Sequence, residues 1–167
     1  MLKNIAKFVI PASWQSKLYK FYNNHWRDHA YRSYSQEGED MILRRLFEGK
    51  SSGFYVDVGA HHPKRFSNTQ FFYELGWRGI NLDAMPGSMT LFHRYRPRDI
   101  SLEQPISDKR ETLPYYIFNE PALNGFSKEL SESRDNVNNC RIIETVDVQA
   151  VTLEEVLDKH LPSNSAI

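Results

Sequence analysis

One cysteine, Cys140, is present in the whole sequence. That excludes an intramolecular disulfide and a thiolate zinc cluster, and it points to a reducing, cytoplasmic compartment. No apolar stretch approaches the roughly 20 residues needed to cross a bilayer. The N-terminal run "MLKNIAKFVIPASW" breaks at Pro11 with no convincing cleavage site after it, which argues against a signal peptide. An excess of one charge is missing too. The 21 Lys and Arg balance 21 Asp and Glu, so net charge gives no reason to expect a nucleic-acid partner. Internal repeats, low-complexity tracts and a G-x-G-x-x-G motif are all absent.

What remains is a chain of 167 residues, 40% hydrophobic and 13% aromatic, enough for one domain with a real core or for a piece of a larger one. Its basic residues are unevenly placed. Lys3, Lys7, Lys17, Lys20, Arg27 and Arg32 face only Asp28 in the first 35 positions. Residues 13 to 30 put Trp14, Leu18, Phe21, Tyr22 and His25 at helical spacing, with Ser13 as N-cap. That pattern fits a helix packed on the main domain, or a basic amphipathic helix resting on a membrane surface. A second helix is expected over Glu37 to Phe47, stopped by Gly49.

Beyond it, strands and helices alternate. "GFYVDVG" reads as a buried strand, and Ser67 as the cap of a helix ending at Gly76. "WRGINLD" is a second strand, Pro86 opens a helix carrying Met89 and Phe92, and "DISLEQPIS" is a third strand. This order predicts an α/β fold with a parallel sheet and right-handed crossovers. After residue 110 come a strand and turn in "TLPYYIFNEPALNGFS", a strand in "RIIETVDVQAV", and a helix in "TLEEVLDKHL" capped by Thr152 and Glu155.

In such a sheet, ligands bind beyond the carboxyl ends of the strands. Gly59 lets the chain turn sharply after the first strand, and Asp83 ends the second. Their separation is close to the roughly 20-residue offset at which a carboxylate meets ribose hydroxyls. Gly59 is followed by Ala60, His61, His62 and Pro63, without the further glycines that let a pyrophosphate lie on bare backbone. A dinucleotide is therefore disfavoured. S-adenosylmethionine, with a ribose and an adenine but no phosphate, is compatible.

The segments "YSQEGEDMIL", "GFYVDVGAHHP", "FSNTQFFYELGWRGINLDAMP" and "ALNGFS", in this order and spacing, resemble the FkbM family of S-adenosylmethionine-dependent methyltransferases. The resemblance runs from about Tyr34 to the C-terminus and is most specific between Gly53 and Pro86. It implies a Rossmann-like class I methyltransferase fold, S-adenosyl-L-methionine as cofactor, and methylation of a hydroxyl on a sugar, a surface glycan or a secondary metabolite. By the same resemblance Asp57 and Gly59 face the methionine part of the cofactor, Asp83 the ribose, and Ser107 and Asp108 the adenine. Gln36 and Glu39 would close over it, while Asn124 and Ser127 line the substrate side. The family's usual G-x-G core is reduced here to "GAHH", and its next strand, of the type "D-x-x-x-I-D-V-E-G", would begin just after Ile167. The expectation is thus an incomplete sheet: a helical basic extension over residues 1–33, then the N-terminal part of the cofactor-binding domain over 34–167, by itself a poor enzyme.

Several polar residues carry two readings. His61 can serve as general base for a hydroxyl nucleophile, with His62 a weaker candidate, or both imidazoles can simply hydrogen-bond the turn. His25 and His29 have the i, i+4 spacing of two helix-borne metal ligands but no nearby third, which favours a solvated face and no metal site. Lys64 and Arg65 suit the cofactor carboxylate or an anionic substrate, and suit a solvated surface equally. Two other functions stay open from sequence alone: a non-catalytic or membrane-peripheral binding module, and a nicotinamide-dependent Rossmann enzyme.

Overall fold

The computed structural model describes residues 11–162. The chain divides between Arg32 and Ser33 into two units. In the first, α1 (Ala12–His25) begins behind Pro11 and not at Ser13, and it stops five residues short of the expected end. Pro11 has no N–H to leave unsatisfied and suits the position before the first turn. Trp14, Phe21 and Tyr22 on this helix are each more than half exposed. His29 lies beyond the helix, where its Nε2 meets the carbonyl of Asn23 at 3.0 Å. The i, i+4 histidine spacing is therefore not realised, and no cluster of three metal-ligating side chains occurs among the described residues. No described helix is long and apolar enough to cross a membrane.

The second unit is mixed α/β. It runs α2 (Glu39–Leu46), β1 (Phe54–Val58), α3 (Gln70–Glu74), β2 (Arg78–Asp83), α4 (Met89–Tyr95), β3 (Ile100–Glu103) and β4 (Ile106–Ser107). Then follow β5 (Glu111–Phe118), a 3-10 turn at Pro121–Leu123, α5 (Lys128–Arg134), β6 (Ile142–Thr152) and α6 (Leu153–His160). The first three strands form a parallel sheet in the order β1-β2-β3, with Val56 opposite Ile80 and Ile80 opposite Ile100. The second sheet has the order β4-β6-β5. In it β4 and β6 run parallel while β5 and β6 are antiparallel, from Glu111 against Ala150 to Phe118 against Ile142. "DISLEQPIS" is thus two strands and not one. Pro105 cannot donate to a ladder, and the chain breaks there.

Local chemistry sets the helix ends. The N-cap of α3 is Thr69 and not Ser67, although Ser67 Oγ accepts the N–H of Gln70, the first residue of the helix, at 3.1 Å. The far end closes in a Schellman motif: Gly76 has φ +100°, its N–H reaches the carbonyl of Tyr73, and that of Trp77 reaches Phe72. Pro86 lies in the turn before α4 and not in its first turn; the helix starts at Met89 behind Ser88. Thr152 and Glu155 form a complete capping box on α6.

The parallel sheet buries a different kind of surface on each side. Ile80, Leu82 and Val156 make a core with Phe54, Val56, Ile100 and Leu102 packed around it. On the other side Tyr55, Phe72, Tyr73 and Trp77 cluster, and Ala60, Met89 and Phe92 form a third group. Strand alternation dictates this division, because successive side chains point to opposite faces. The carboxyl ends of β1 and β2 are left side by side.

Candidate active site

At those strand ends the backbone does unusual things. Gly59 has φ +77°, and its N–H and that of Ala60 both donate to the carbonyl of Leu82, at 2.8 and 3.0 Å. A Cβ at Gly59 would meet open space but would hold a strained backbone. His61 (φ 54°) and Phe66 (φ 56°) also adopt the left-handed region, which is uncommon for side chains of that size. Asp83 fixes the arrangement. One oxygen accepts the His61 N–H at 2.7 Å and the other the Met85 N–H at 2.8 Å, so one buried carboxylate ties the turn after β1 to the turn after β2.

The turns enclose a cavity of about 680 Å³, within the range typical of small-molecule sites. Gln36, Gly59, His61, Asp83 and Asn124 are all in its wall. Gln36 is held near it by Asp40, a residue that sequence reading passed over. The buried Asp40 carboxylate accepts from Ser33 Oγ, Ser35 Oγ and the Tyr34 N–H at 2.6–2.7 Å. Despite its burial, these hydrogen bonds hold its carboxyl below the ordinary value.

Other sequence candidates lie outside the wall. Glu39 accepts the N–H of Glu37, and Ser127 caps α5 through the N–H of Leu130. Neither Ser107 nor Asp108 is in the wall; the Ser107 hydroxyl donates to Glu111 at 2.6 Å, with Asp108 a longer 3.3 Å away. Gln104, Pro105 and Ile106 take the position expected of them. Asp57, on the same face of the sheet as Asn81 and Asp83, is not in the wall and accepts from Thr69 Oγ1 at 2.6 Å. Burial raises its carboxyl above the ordinary value, against that hydrogen bond and the nearby Arg96 charge.

The electrostatics of the wall favour uncharged imidazoles. Burial lowers His61, and the Arg65 cation lowers it further, against the Asp83 and Glu120 carboxylates. Its Nε2 is shielded and has no hydrogen-bond partner. Burial lowers His62 as well, followed by His61, Arg65 and Lys64. The Nδ1 of His62 accepts the N–H groups of Lys64 and Arg65 at 3.0 and 2.9 Å, so this imidazole holds the turn while His61 keeps a free nitrogen. Tyr115 and Phe126 complete the wall, ring centroids 5.0 Å apart. Burial, then the Asp83 charge, pushes the Tyr115 hydroxyl up to about 12. Tyr115 comes from β5, which pairs with the distant β6, and Phe126 from the loop after β5, next to the Tyr116–Gly125 bridge. Ser88 Oγ, also in the wall, is shielded and unpartnered.

Residues 57–165, well over half of the chain, match the methyltransferase FkbM domain. No curated protein and no solved structure matches. The matched stretch opens at Asp57 in β1 and takes in almost the whole cavity wall, Gln36 being outside it. The cavity is therefore built almost entirely from the part of the sequence that the family shares. The chain belongs to the FkbM family of methyltransferase domains.

Proposed function

We propose that this protein is an S-adenosylmethionine-dependent O-methyltransferase whose acceptor is a hydroxyl of a sugar, glycan or secondary metabolite. The observation that carries the reading is the meeting of Gly59, His61 and Asp83 at the carboxyl ends of two adjacent parallel strands, within the family match. The β1-β2-β3 order with intervening helices supports a Rossmann-like class I arrangement. The wall also suits the cofactor chemically. It offers a carboxylate, an open glycine turn, shielded polar atoms without partners on His61 and Ser88, and apolar surface from Met85, Leu91 and Ile106.

Asp83 and Gly59 would hold the ribose and methionine parts, with Gln36 beside them. When bound, the cofactor supplies an electrophilic methyl group on a sulfonium. The chain's own task is then to orient a hydroxyl, to exclude water and to take its proton. His61 is suited to that last step: neutral at pH 7, with Nε2 free, it accepts the proton as the hydroxyl oxygen becomes a nucleophile. Positioning both reactants in a cavity walled by Tyr115 and Phe126 contributes the rest of the acceleration.

Calorimetry with S-adenosylmethionine and with NAD tests the reading. Binding of the former alone is expected, weakened by about 1.5–3 kcal/mol in Asp83→Ala through loss of hydrogen bonds to a charged group. Preference for NAD, or unchanged affinity in a folded Asp83→Ala protein, would overturn it. His61→Ala should cut methyl transfer about 10²–10⁴-fold with cofactor affinity kept. Because the His61 pKa is lowered, wild-type turnover should fall only as the pH drops below the ordinary histidine value of about 6.5.

A further inference from the structure

The cavity wall holds one feature that the proposed chemistry does not use. Arg65 Nη1 reaches Glu120 Oε1 at 2.9 Å, joining the turn after β1 to the loop after β5. Among the described residues Arg65 is the only Lys or Arg in the cavity wall and Asp83 the only carboxylate, the latter already holding two backbone N–H groups. The Arg65 side chain is 45% exposed and that of Glu120 38%, a setting in which an ion pair contributes little and exchanges readily.

Both partners are arranged to survive separation. The Arg65 guanidinium lies over the Phe66 ring at 4.3 Å, and its backbone N–H is fixed by His62, so the fork stays in place without Glu120. The Glu120 Oε1 also accepts the N–H of Ala122 at 3.2 Å, so this carboxylate keeps a partner when it lets go. Pro121 and Ala122, on the loop that Glu120 opens, are themselves part of the wall. A planar guanidinium held this way matches a carboxylate or phosphate with two parallel hydrogen bonds, better than the single contact it makes with Glu120.

We propose that Arg65 is an oxyanion-recognition residue of the cavity: a carboxylate or phosphate on the bound molecule takes the guanidinium from Glu120, which falls back on the Ala122 N–H. The inference rests on the cavity being the ligand site proposed above. The oxyanion is either the carboxylate of the cofactor's methionine part or an acidic group on the acceptor, and the experiment separates them.

Inorganic phosphate is titrated into wild type, Glu120→Gln, Arg65→Gln and Arg65→Lys, followed by amide chemical shifts around residues 61–66. Glu120→Gln should bind phosphate about two- to fivefold more tightly, because a weak exposed competitor is gone. Arg65→Gln should lose the saturable response, and Arg65→Lys should be about tenfold weaker for want of the fork. Equal responses in all four proteins, or weaker binding in Glu120→Gln, would overturn the proposal. Should Arg65→Gln fail to fold, the other two variants decide. Repeating the titration with S-adenosylhomocysteine assigns the source: phosphate excluded by it means the cofactor carboxylate, phosphate retained means an acidic acceptor. If S-adenosylhomocysteine does not bind at all, the cofactor reading fails, while the phosphate titrations still judge Arg65.

Discussion

The two faces of the β1-β2-β3 sheet are both buried, yet they are built on different rules. On one, Ile80 and Leu82 are fully buried and meet Val156, Leu153 and Leu157 of α6 with no polar atom to satisfy. On the other, Arg96 and Asp99 are ion-paired at 2.8 Å with both side chains fully buried. Arg96 also donates to the Tyr55 hydroxyl at 2.6 Å and to Thr69 Oγ1 at 3.0 Å, and it sits against the rings of Tyr73 and Phe92. Asp99 accepts from the Tyr55 hydroxyl, the Gly79 N–H and Asn81 Nδ2. Burial above all, and Asp99 with it, drives the Tyr55 hydroxyl far above its ordinary pKa, so it stays a donor. An apolar face asks for volume and shape. A buried polar network asks for every partner at once, because low dielectric strengthens satisfied pairs and penalises orphaned ones.

The sharpest way to break that contrast is Arg96→Met. It keeps much of the apolar bulk and removes the charge, leaving the Asp99 carboxylate buried without its cation. A loss of about 3–5 kcal/mol is expected in urea unfolding, as for other buried pairs that lose one member. A loss under about 1 kcal/mol would mean the network is not what holds this face.

Adjacent residues on β2 give the next test. Asn81→Leu is close in size but withdraws donors from Asp99 and Ser101, at 3.0 and 3.3 Å, and should cost about 2 kcal/mol. Leu82→Met, one residue on and pointing to the apolar face, conserves volume and should cost under about 1.5 kcal/mol. The order of the two midpoints is the measurement. If Leu82→Met proves the more harmful, packing precision and not polar satisfaction limits this sheet.

The same contrast explains what could be read from sequence. β1, β2 and β6 announce themselves by β-rich runs, and the Gly76 stop and the Thr152–Glu155 box are local chemistry spelled out within a few residues. The cavity wall was legible where it is local too: Gly59, His61 and Asp83 follow directly from the strand ends. What was hidden depends on distance in the chain. Nothing near Arg96 in the sequence marks it; the fold carries Tyr55 and Thr69 to it from 41 and 27 residues away. Tyr115 is in the wall on a strand, β5, whose partner β6 is distant in the chain, and Ser107 is outside the wall with its hydroxyl on Glu111. Pro86 suggested a helix start, but Asp83 captures the Met85 N–H and keeps that stretch a turn.

The smallest effect comes where the polar face reaches the cavity. Asp57 is not fully buried, accepts from Thr69 Oγ1, and shares the neighbourhood of Arg96 with Asp83 and Asp99. Its carboxyl is raised by burial first and by the two other carboxylates after that. A folded pKa above the unfolded one means the native state binds this proton more tightly. Stability from Asp57 is therefore present below the unfolded value of about 3.9 and is lost as pH rises through the raised folded value. Ionised Asp57 is then a mild burden at neutral pH. Asp57→Asn keeps an oxygen to accept the Thr69 hydroxyl and removes the charge, so it should melt slightly above wild type at pH 7. The gap should close as the pH is lowered toward 3, where the wild-type carboxyl is protonated as well. A variant that melts below wild type at pH 7, with the deficit shrinking in acid, would show that Arg96 pairs with Asp57 strongly enough to make this carboxylate a stabilising member of the network.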